Sequence, residues 1–429
     1  MPLALLELPL FVLLPKLYSD LFGLQLGLIG GVLLFTRILD AVSDPIIGLQ
    51  LDKQAARFNY RFWIFAALPG LLAGFLALLW APSAIHHQQT ALALWLAFFS
   101  ILTYLAYSVV SIAYQAWGAQ WGSTASQRTQ VTSVREVFGL LGVLVASAWL
   151  TAQSRLELSI ALTVMVAIGY GALSTFRLAP LPTLAPAGPA TPAGIYQSGN
   201  PLARSWQLIA KQPSFRWLLS VFALNGIATA IPATLVLFFV ADVIGASEKV
   251  PQFLLAYFLA GALGMPIWTL LAKRIGLRNA WLMGMIFSVL AFAGALTLGR
   301  GDSNPYLLVC IVTGLALGAD LALPPAMLAG VIQAENNSPA EAPVQASYFG
   351  LWNLVTKLNL AVAAGIGLPL LQWFGYEPTS ATNLANQVQS TLVLTLIYAG
   401  LPCVLKLVAG ATLLLAPLKD PMDYGKRTP

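Results

Sequence analysis

Arg37-Ile38-Leu39-Asp40-Ala41-Val42-Ser43-Asp44-Pro45 lies inside an apolar segment that runs from about Leu24 to Leu49. Two carboxylates and a guanidinium therefore stand where a membrane-crossing helix should carry none. At about 100° per residue, positions 37, 40 and 44 fall on one face of a helix. A charge in the bilayer core is costly, so such groups face a water-filled cavity or a partner and mark an ion or solute pathway. Two acids one turn apart, with a base beside them, suit a small cation such as Na⁺. Backbone or hydroxyl oxygens, that of Ser43 among them, can complete its shell. A structural reading stands beside this one: a charge network with Arg37 that locks the helix, with Asp44 capping backbone groups freed by Pro45.

The surroundings make these charges conspicuous. The chain has 429 residues, of which 58% are hydrophobic and 9% charged, and its mean hydropathy is +0.79. A soluble domain carries about 25% charged residues. The deficit extends along the whole length, so the chain reads as an all-α, multi-pass membrane protein. A helix crosses the hydrocarbon core with about 20 apolar residues. Twelve segments qualify, near 2–19, 23–50, 61–81, 90–119, 131–152, 157–177, 214–241, 250–272, 278–298, 305–332, 345–374 and 389–416. The stretch 178–213 stands apart: it carries Pro180, Pro182, Pro186, Pro189 and Pro192 and shows no apolar periodicity. The expected organisation is an N-terminal six-helix bundle over 1–177, a cytoplasmic linker over 178–213, a C-terminal six-helix bundle over 214–417 and a cytoplasmic tail over 418–429.

The net charge of +6 follows topology rather than nucleic-acid binding. One set of loops and helix ends holds Lys53, Arg57, Arg61, Arg128, Arg135, Arg177, Arg204, Lys211, Arg216, Lys273, Arg274, Arg278, Lys419, Lys426 and Arg427. The other set holds only Lys16, Arg155, Lys249 and Arg300. That asymmetry puts both termini in the cytoplasm. The loop with Glu335 and Glu341 has no base, but acids weigh little in this rule. The run from Met1 has no basic n-region, so no cleavable signal peptide is expected. Cys310 and Cys403 lie in apolar segments without disulfide or metal spacing, and His86 and His87 sit together in a loop.

The two halves show a faint repeat. Asp44-Pro45-Ile46-Ile47-Gly48-Leu49-Gln50-Leu51-Asp52-Lys53 can be laid over Met265-Pro266-Ile267-Trp268-Thr269-Leu270-Leu271-Ala272-Lys273-Arg274. Arg61-Phe62-Trp63 then restarts one half and Arg278-Asn279-Ala280-Trp281 the other. Parallel six-helix repeats mark a transporter whose two bundles rock around a midplane site. Where the first half has Asp40 and Asp44, the second has Gly261 and Met265. The acids are thus not needed to build a bundle, which favours function over structure.

Leu17-Tyr18-Ser19-Asp20-Leu21-Phe22-Gly23-Leu24, followed by the Arg37–Gly48 stretch, resembles the glycoside–pentoside–hexuronide:cation symporters of the major facilitator superfamily. Tyr114-Gln115-Ala116-Trp117-Gly118-Ala119 is similar to that family's stretch closing the fourth helix. Thr356-Lys357 and Gly375-Tyr376-Glu377-Pro378 are similar to its eleventh-helix lysine and following turn. The resemblance implies the major facilitator fold, with twelve helices in two six-helix bundles. It also implies a cation site at Asp40 and Asp44, with Lys357 as the neighbour that tunes it and Arg135 as the family's fifth-helix arginine. Ser111 stands where sugar-carrying members often have an aspartate, and Gln115 where an aromatic stacks on the sugar. The cation site is mostly retained and the sugar site is altered.

Further candidates come from the residues themselves. Arg37 reads as a fixed partner that keeps an acid ionised. Lys357 is too deep to snorkel to an interface. Asp320, in Gly318-Ala319-Asp320-Leu321, can accept solute hydroxyls, pair with Lys357 or fill a polar network. Arg135 and Glu136 suit a local ion pair that gates the inner side. Tyr114 and Trp352 can stack on a ring, whereas Trp121 reads as an interface anchor; Asn225, Asn353, Gln115 and Ser111 can meet hydroxyls. No Ser-His-Asp set, metal cluster or phosphate-binding Gly-x-x-x-x-Gly-Lys-Ser/Thr loop is present, so an enzyme or an ATP-driven pump is disfavoured. The expected function is Na⁺- or H⁺-coupled symport of a sugar, glycoside or similar small polar solute, by a monomer in a bacterial inner membrane, without a cofactor. The alternatives are a proton-coupled exporter of an amphiphile and, more remotely, a membrane-embedded enzyme.

Overall fold

The computed structural model describes residues 2–8, 10, 14, 17–18, 22–24, 26–54, 57–86, 88–120, 125–152, 155–175, 212–336, 345–374 and 384–417. Helix α1 spans Pro2–Leu8, α2 Leu26–Gln54, α3 Tyr60–Leu79, α4 Gln89–Ala119, α5 Ala125–Ala152 and α6 Arg155–Thr175. There follow α7 Pro213–Phe238, α8 Val250–Ile275, α9 Leu277–Ala295, α10 Ser303–Asn336, α11 Gln345–Trp373, α12 Leu384–Thr395 and α13 Leu401–Leu415. A π-helical turn, Phe239–Ile244, prolongs α7, and another, Leu396–Gly400, joins α12 to α13. Among the described residues there is no strand. The linker residues 178–211, the tail 418–429, Ser19-Asp20-Leu21, His87, Trp121, Glu341, the 375–378 turn and the side chain of Glu7 lie outside the described residues.

Eight helical segments among the described residues are long and apolar enough to cross a membrane. Helices α2, α5 and α11, of 29, 28 and 29 residues, also exceed the length a bilayer core demands. The protein is an integral, multi-pass membrane protein. Helix ends follow local chemistry. The Asn59 side chain accepts the Phe62 N–H at 2.9 Å and starts α3, and Pro213 fits the first turn of α7, where a missing N–H costs nothing.

The chain divides into two compact units. The first holds residues 1–120, 138–208 and 332–354, and the second 121–137, 209–331 and 355–429. In the first, α4 packs against α2 and α3, and α6 against α3. Trp80 Nε1 donates to Ser159 Oγ at 3.0 Å and Trp95 Nε1 to the Ala77 carbonyl at 3.0 Å, so both indole N–H groups find partners within the unit. In the second, α13 packs against α7 and α9, and α8 against α9. Its apolar core holds Phe239 stacked on Tyr398, with ring centroids 4.0 Å apart, and the Tyr398 and Tyr306 hydroxyls 2.7 Å apart.

The internal repeat has a structural counterpart. Pro45 and Pro266 both lie within continuous helices, α2 and α8. Arg61, opening α3, donates from Nη2 to the Ser174 carbonyl at the end of α6 at 2.6 Å. Arg278, opening α9, donates from Nη2 to the Leu414 carbonyl at the end of α13, also at 2.6 Å. In each half the third helix begins with an arginine that caps the last.

Candidate functional site

Helix α2 carries the acid pair through its buried face. Asp40 is 7% exposed and Asp44 fully buried. The spacing of one turn that the sequence sets therefore survives as a shared environment. Asp40 Oδ1 accepts the Ser108 hydroxyl of α4 at 2.9 Å, and Ser43 Oγ donates to the Asp40 carbonyl at 2.8 Å. Pro45 has no N–H to give to the Ala41 carbonyl, so the backbone beside Asp44 offers an oxygen outside the helical ladder. Two carboxylates, a serine hydroxyl and freed backbone oxygen are hard donors, the set that takes Na⁺ or a proton. Arg37 is half-buried on the same helix.

A neutral polar cluster lies in the same unit. Gln115 of α4 donates from Nε2 to Ser111 Oγ at 2.9 Å and to Asn353 Oδ1 of α11 at 3.2 Å. Trp352, beside Asn353, is 4% exposed, and Tyr114 is half-buried. The first unit thus brings together Asp40, Asp44, Ser111, Gln115 and Asn353 as buried or half-buried polar groups on α2, α4 and α11. These can offer amide and hydroxyl groups to a hydroxylated solute.

The sequence reading passed over Asp52. It sits two residues past the apolar segment and is 4% exposed. Its carboxylate accepts the backbone N–H groups of Ala346 at 2.9 Å and Ser347 at 2.7 Å, the Ser347 hydroxyl and the Tyr60 hydroxyl at 2.8 Å. It thereby caps the first turn of α11, where unpaired N–H groups and the helix dipole favour an anion. Burial pushes the Asp52 carboxyl up to about 6, against the hydrogen bonds from Ser347, Tyr60 and Ala346 that hold it down. The helices meet closely here. A Cβ on Gly48 would strike the Ala346 carbonyl, and one on Gly350 the Asp44 carbonyl. The repeat overlay carried a signal for this residue, since Asp52 falls opposite Lys273.

The second unit holds the remaining candidates. Arg135 and Glu136 form an ion pair, with Arg135 Nε at 3.0 Å and Nη2 at 2.6 Å from Glu136 Oε1, as the gating reading expects of a local pair. Nearby on α5, the Ser133 hydroxyl lies 2.7 Å from that of Thr269 on α8. Lys357 is half-buried on α11. The partner of Asp320 is not Lys357: Asp320 Oδ2 accepts Lys406 Nζ of α13 at 2.8 Å, and its Oδ1 accepts Trp281 Nε1 at 3.0 Å. Asn225 likewise joins this network, accepting Lys406 Nζ at 2.9 Å through Oδ1. The local signal for Lys406 was the one that marks Lys357, a lysine amid Val404, Leu405, Leu407 and Val408.

The family described as MFS/sugar transport protein matches residues 1–420. The inner membrane symporter YicJ of Escherichia coli (strain K12) is 33% identical over 132 residues, 30% of this chain and 28% of that protein. The isoprimeverose transporter of Lactiplantibacillus pentosus is 25% identical over 308 residues, 66% of this chain and 59% of that protein. The chain thus spans 28% and 59% of the lengths of these two relatives. Among solved structures, the major facilitator superfamily transporter FucP in its outward conformation superposes with a TM-score of 0.59 at 15% identity, covering 95% of this chain and 96% of that one. At that identity the likeness speaks for the fold.

Proposed function

The chain belongs to the MFS/sugar transport protein family, and from that premise we propose that it is a secondary transporter coupling a sugar, glycoside or similar small polar solute to Na⁺ or H⁺. Membership places it among transporters and not among enzymes. The observation that carries the coupling is the pair Asp40 and Asp44, 7% and 0% exposed and one turn apart on α2. Two carboxylates at that spacing repel each other in a low-dielectric setting. A bound cation or proton relieves the repulsion, which ties the site to an ion. Gln115, Ser111 and Asn353 meet the solute with neutral groups, where the resembled sugar carriers use an acid. Arg37, on the same helix, holds the acids' charge in check while the site is empty. Alternating access then carries ion and solute together, with Arg135–Glu136 at the inner end. The reading includes a monomer in a bacterial inner membrane with both termini cytoplasmic, which the basic-residue asymmetry supports.

The test is uptake by purified protein in liposomes, screened across pentosides, hexosides and uronides, with isoprimeverose as first probe. Accumulation against the solute gradient is expected only with an imposed Na⁺ or pH gradient. Equal equilibration with and without either gradient would overturn coupled symport.

A further inference from the structure

The second unit holds a buried ion pair of its own. Lys406 is 2% exposed and the Asp320 side chain 10%, and both stand within membrane-length helical segments, Ser390–Leu415 and Ser303–Gln333. Lys406 Nζ lies 2.8 Å from Asp320 Oδ2 and 2.9 Å from Asn225 Oδ1 of α7, while Trp281 of α9 holds the other Asp320 oxygen. Four helices thus converge on one carboxylate and one ammonium. We propose that Asp320 is a proton-binding site, formed by residues other than the α2 acid pair, which takes up and releases one proton in each transport cycle. The inference rests on the transport reading.

The donor set selects a proton over a metal cation. Lys406 Nζ occupies Oδ2 and Trp281 Nε1 occupies Oδ1, so a metal ion finds no free pair of carboxylate oxygens. A proton needs one lone pair only. Asn225 supplies what a working site needs in its loaded form. When Asp320 turns neutral, the ammonium keeps an amide oxygen as partner and is not left buried without one. On loading, a proton from the medium bonds to Asp320 Oδ2, the Nζ–H···Oδ2 bond breaks, and the pair passes from net charge zero to +1. Unloading reverses each change. Lys406 keeps its three protons throughout, so one proton moves per turn. Loading also unties α10 from α13, which gives the proton a structural consequence.

Among the described residues, the other titratable groups beside the pair lie on α8, α10 and α13. Tyr257 of α8 faces Asp320, Cys310 of α10 faces Tyr257, and Cys403 of α13 faces Lys406. Phenol and thiol are uncharged in neutral medium and donate no competing charge. From α9, Arg278 turns to the Leu414 carbonyl, and from α7 the facing group is Asn225, which does not titrate.

Infrared titration of the full chain in detergent tests the site directly, because a protonated carboxyl has its own carbonyl stretch. On acidification the parent should gain such a band. Asp320→Asn should lose it, and Asp320→Glu should restore it at a shifted frequency, which assigns the band to this residue. If Asp320→Asn does not fold, Asp320→Asn/Lys406→Gln removes both charges together and should lack the same band. A band that either neutral variant retains in full overturns the proposal. Liposome uptake of isoprimeverose under a pH gradient separates the two ideas. PH-driven accumulation that persists unchanged in Asp320→Asn overturns the proton site and leaves transport intact. A parent that shows the band yet accumulates none of the screened solutes under either gradient overturns the transport reading instead.

Discussion

Asp40 and Asp320 show two ways of keeping a carboxylate inside a membrane protein. Asp40 is held by a neutral hydroxyl, Ser108, with a second acid, Asp44, one turn away. Asp320 is matched by a full positive charge and two neutral groups. The first arrangement sets two acids side by side, and the second sets an acid against a base. Their variants should therefore differ in kind. Asp40→Asn and Asp44→Asn should each abolish gradient-driven accumulation, while solute exchange down its own gradient survives and the protein still reaches the membrane. Uptake with and without an imposed ion gradient measures this, and parent-like accumulation in both variants would make the acid pair structural. Lys406→Met should instead destabilise the fold by about 3–5 kcal/mol, because it strands a buried carboxylate. Lys406→Met/Asp320→Leu, which removes both charges, should recover most of that loss, since a well-packed apolar pair is often as stable as a buried ion pair. Thermal melting in detergent distinguishes the two. A double variant as unstable as the single one would mean that packing, not charge, sets the cost.

At the scale of elements, the contact that matters most is that between the end of α2 and the start of α11. The Asp52 carboxylate takes two N–H groups of α11, and Gly48 and Gly350 let the backbones meet. The sign of its pH dependence follows from burial. The Asp52 carboxyl is pushed up to about 6 in the fold, against about 3.9 in an unfolded chain. Between those values the folded state binds more protons than the unfolded one, so stability falls as pH rises through the window. Two pH units correspond to about 3 kcal/mol. The melting temperature should therefore decline from about pH 4 to about pH 6, and Asp52→Asn should flatten that decline. A parent profile as flat as that of the variant would remove Asp52 from the account. Gly350→Leu probes the same contact sterically. Its side chain would press on the Asp44 carbonyl, and overpacking of this kind costs about 1–3 kcal/mol. Melting temperature and uptake should fall together in this variant, and full activity would show that α2 and α11 need no such closeness.

For the whole molecule, the sequence announced its helices because the apolar period and the turn residues act locally. The expected segment 90–119 emerges as Gln89–Ala119, and 345–374 as Gln345–Trp373. Asp40 and Asp44 were equally legible, since a charge amid leucines needs no partner to be noticed. Asp52 was not. It ends a helix next to a basic loop, where an acid looks solvated, and its partner Ser347 is 295 residues away. The pairing of Asp320 with Lys406 was hidden for the same reason: which of two lysines in apolar helices an acid meets depends on how α7, α9, α10 and α13 pack. The internal repeat lies between these cases. Its overlay was faint in sequence, yet Arg61 and Arg278 cap the last helix of their own halves in the same way, each at 2.6 Å. A cation on a half-exposed helix C-terminus contributes about 0.3–1 kcal/mol. If the two caps are one device used twice, Arg61→Met and Arg278→Met should lower the melting temperature by similar amounts. The caps belong to different compact units, so the double variant should show the sum, within about 0.5 kcal/mol. A silent Arg61→Met beside a costly Arg278→Met would break the equivalence. The repeat would then describe how the chain is laid out and not how its halves are held.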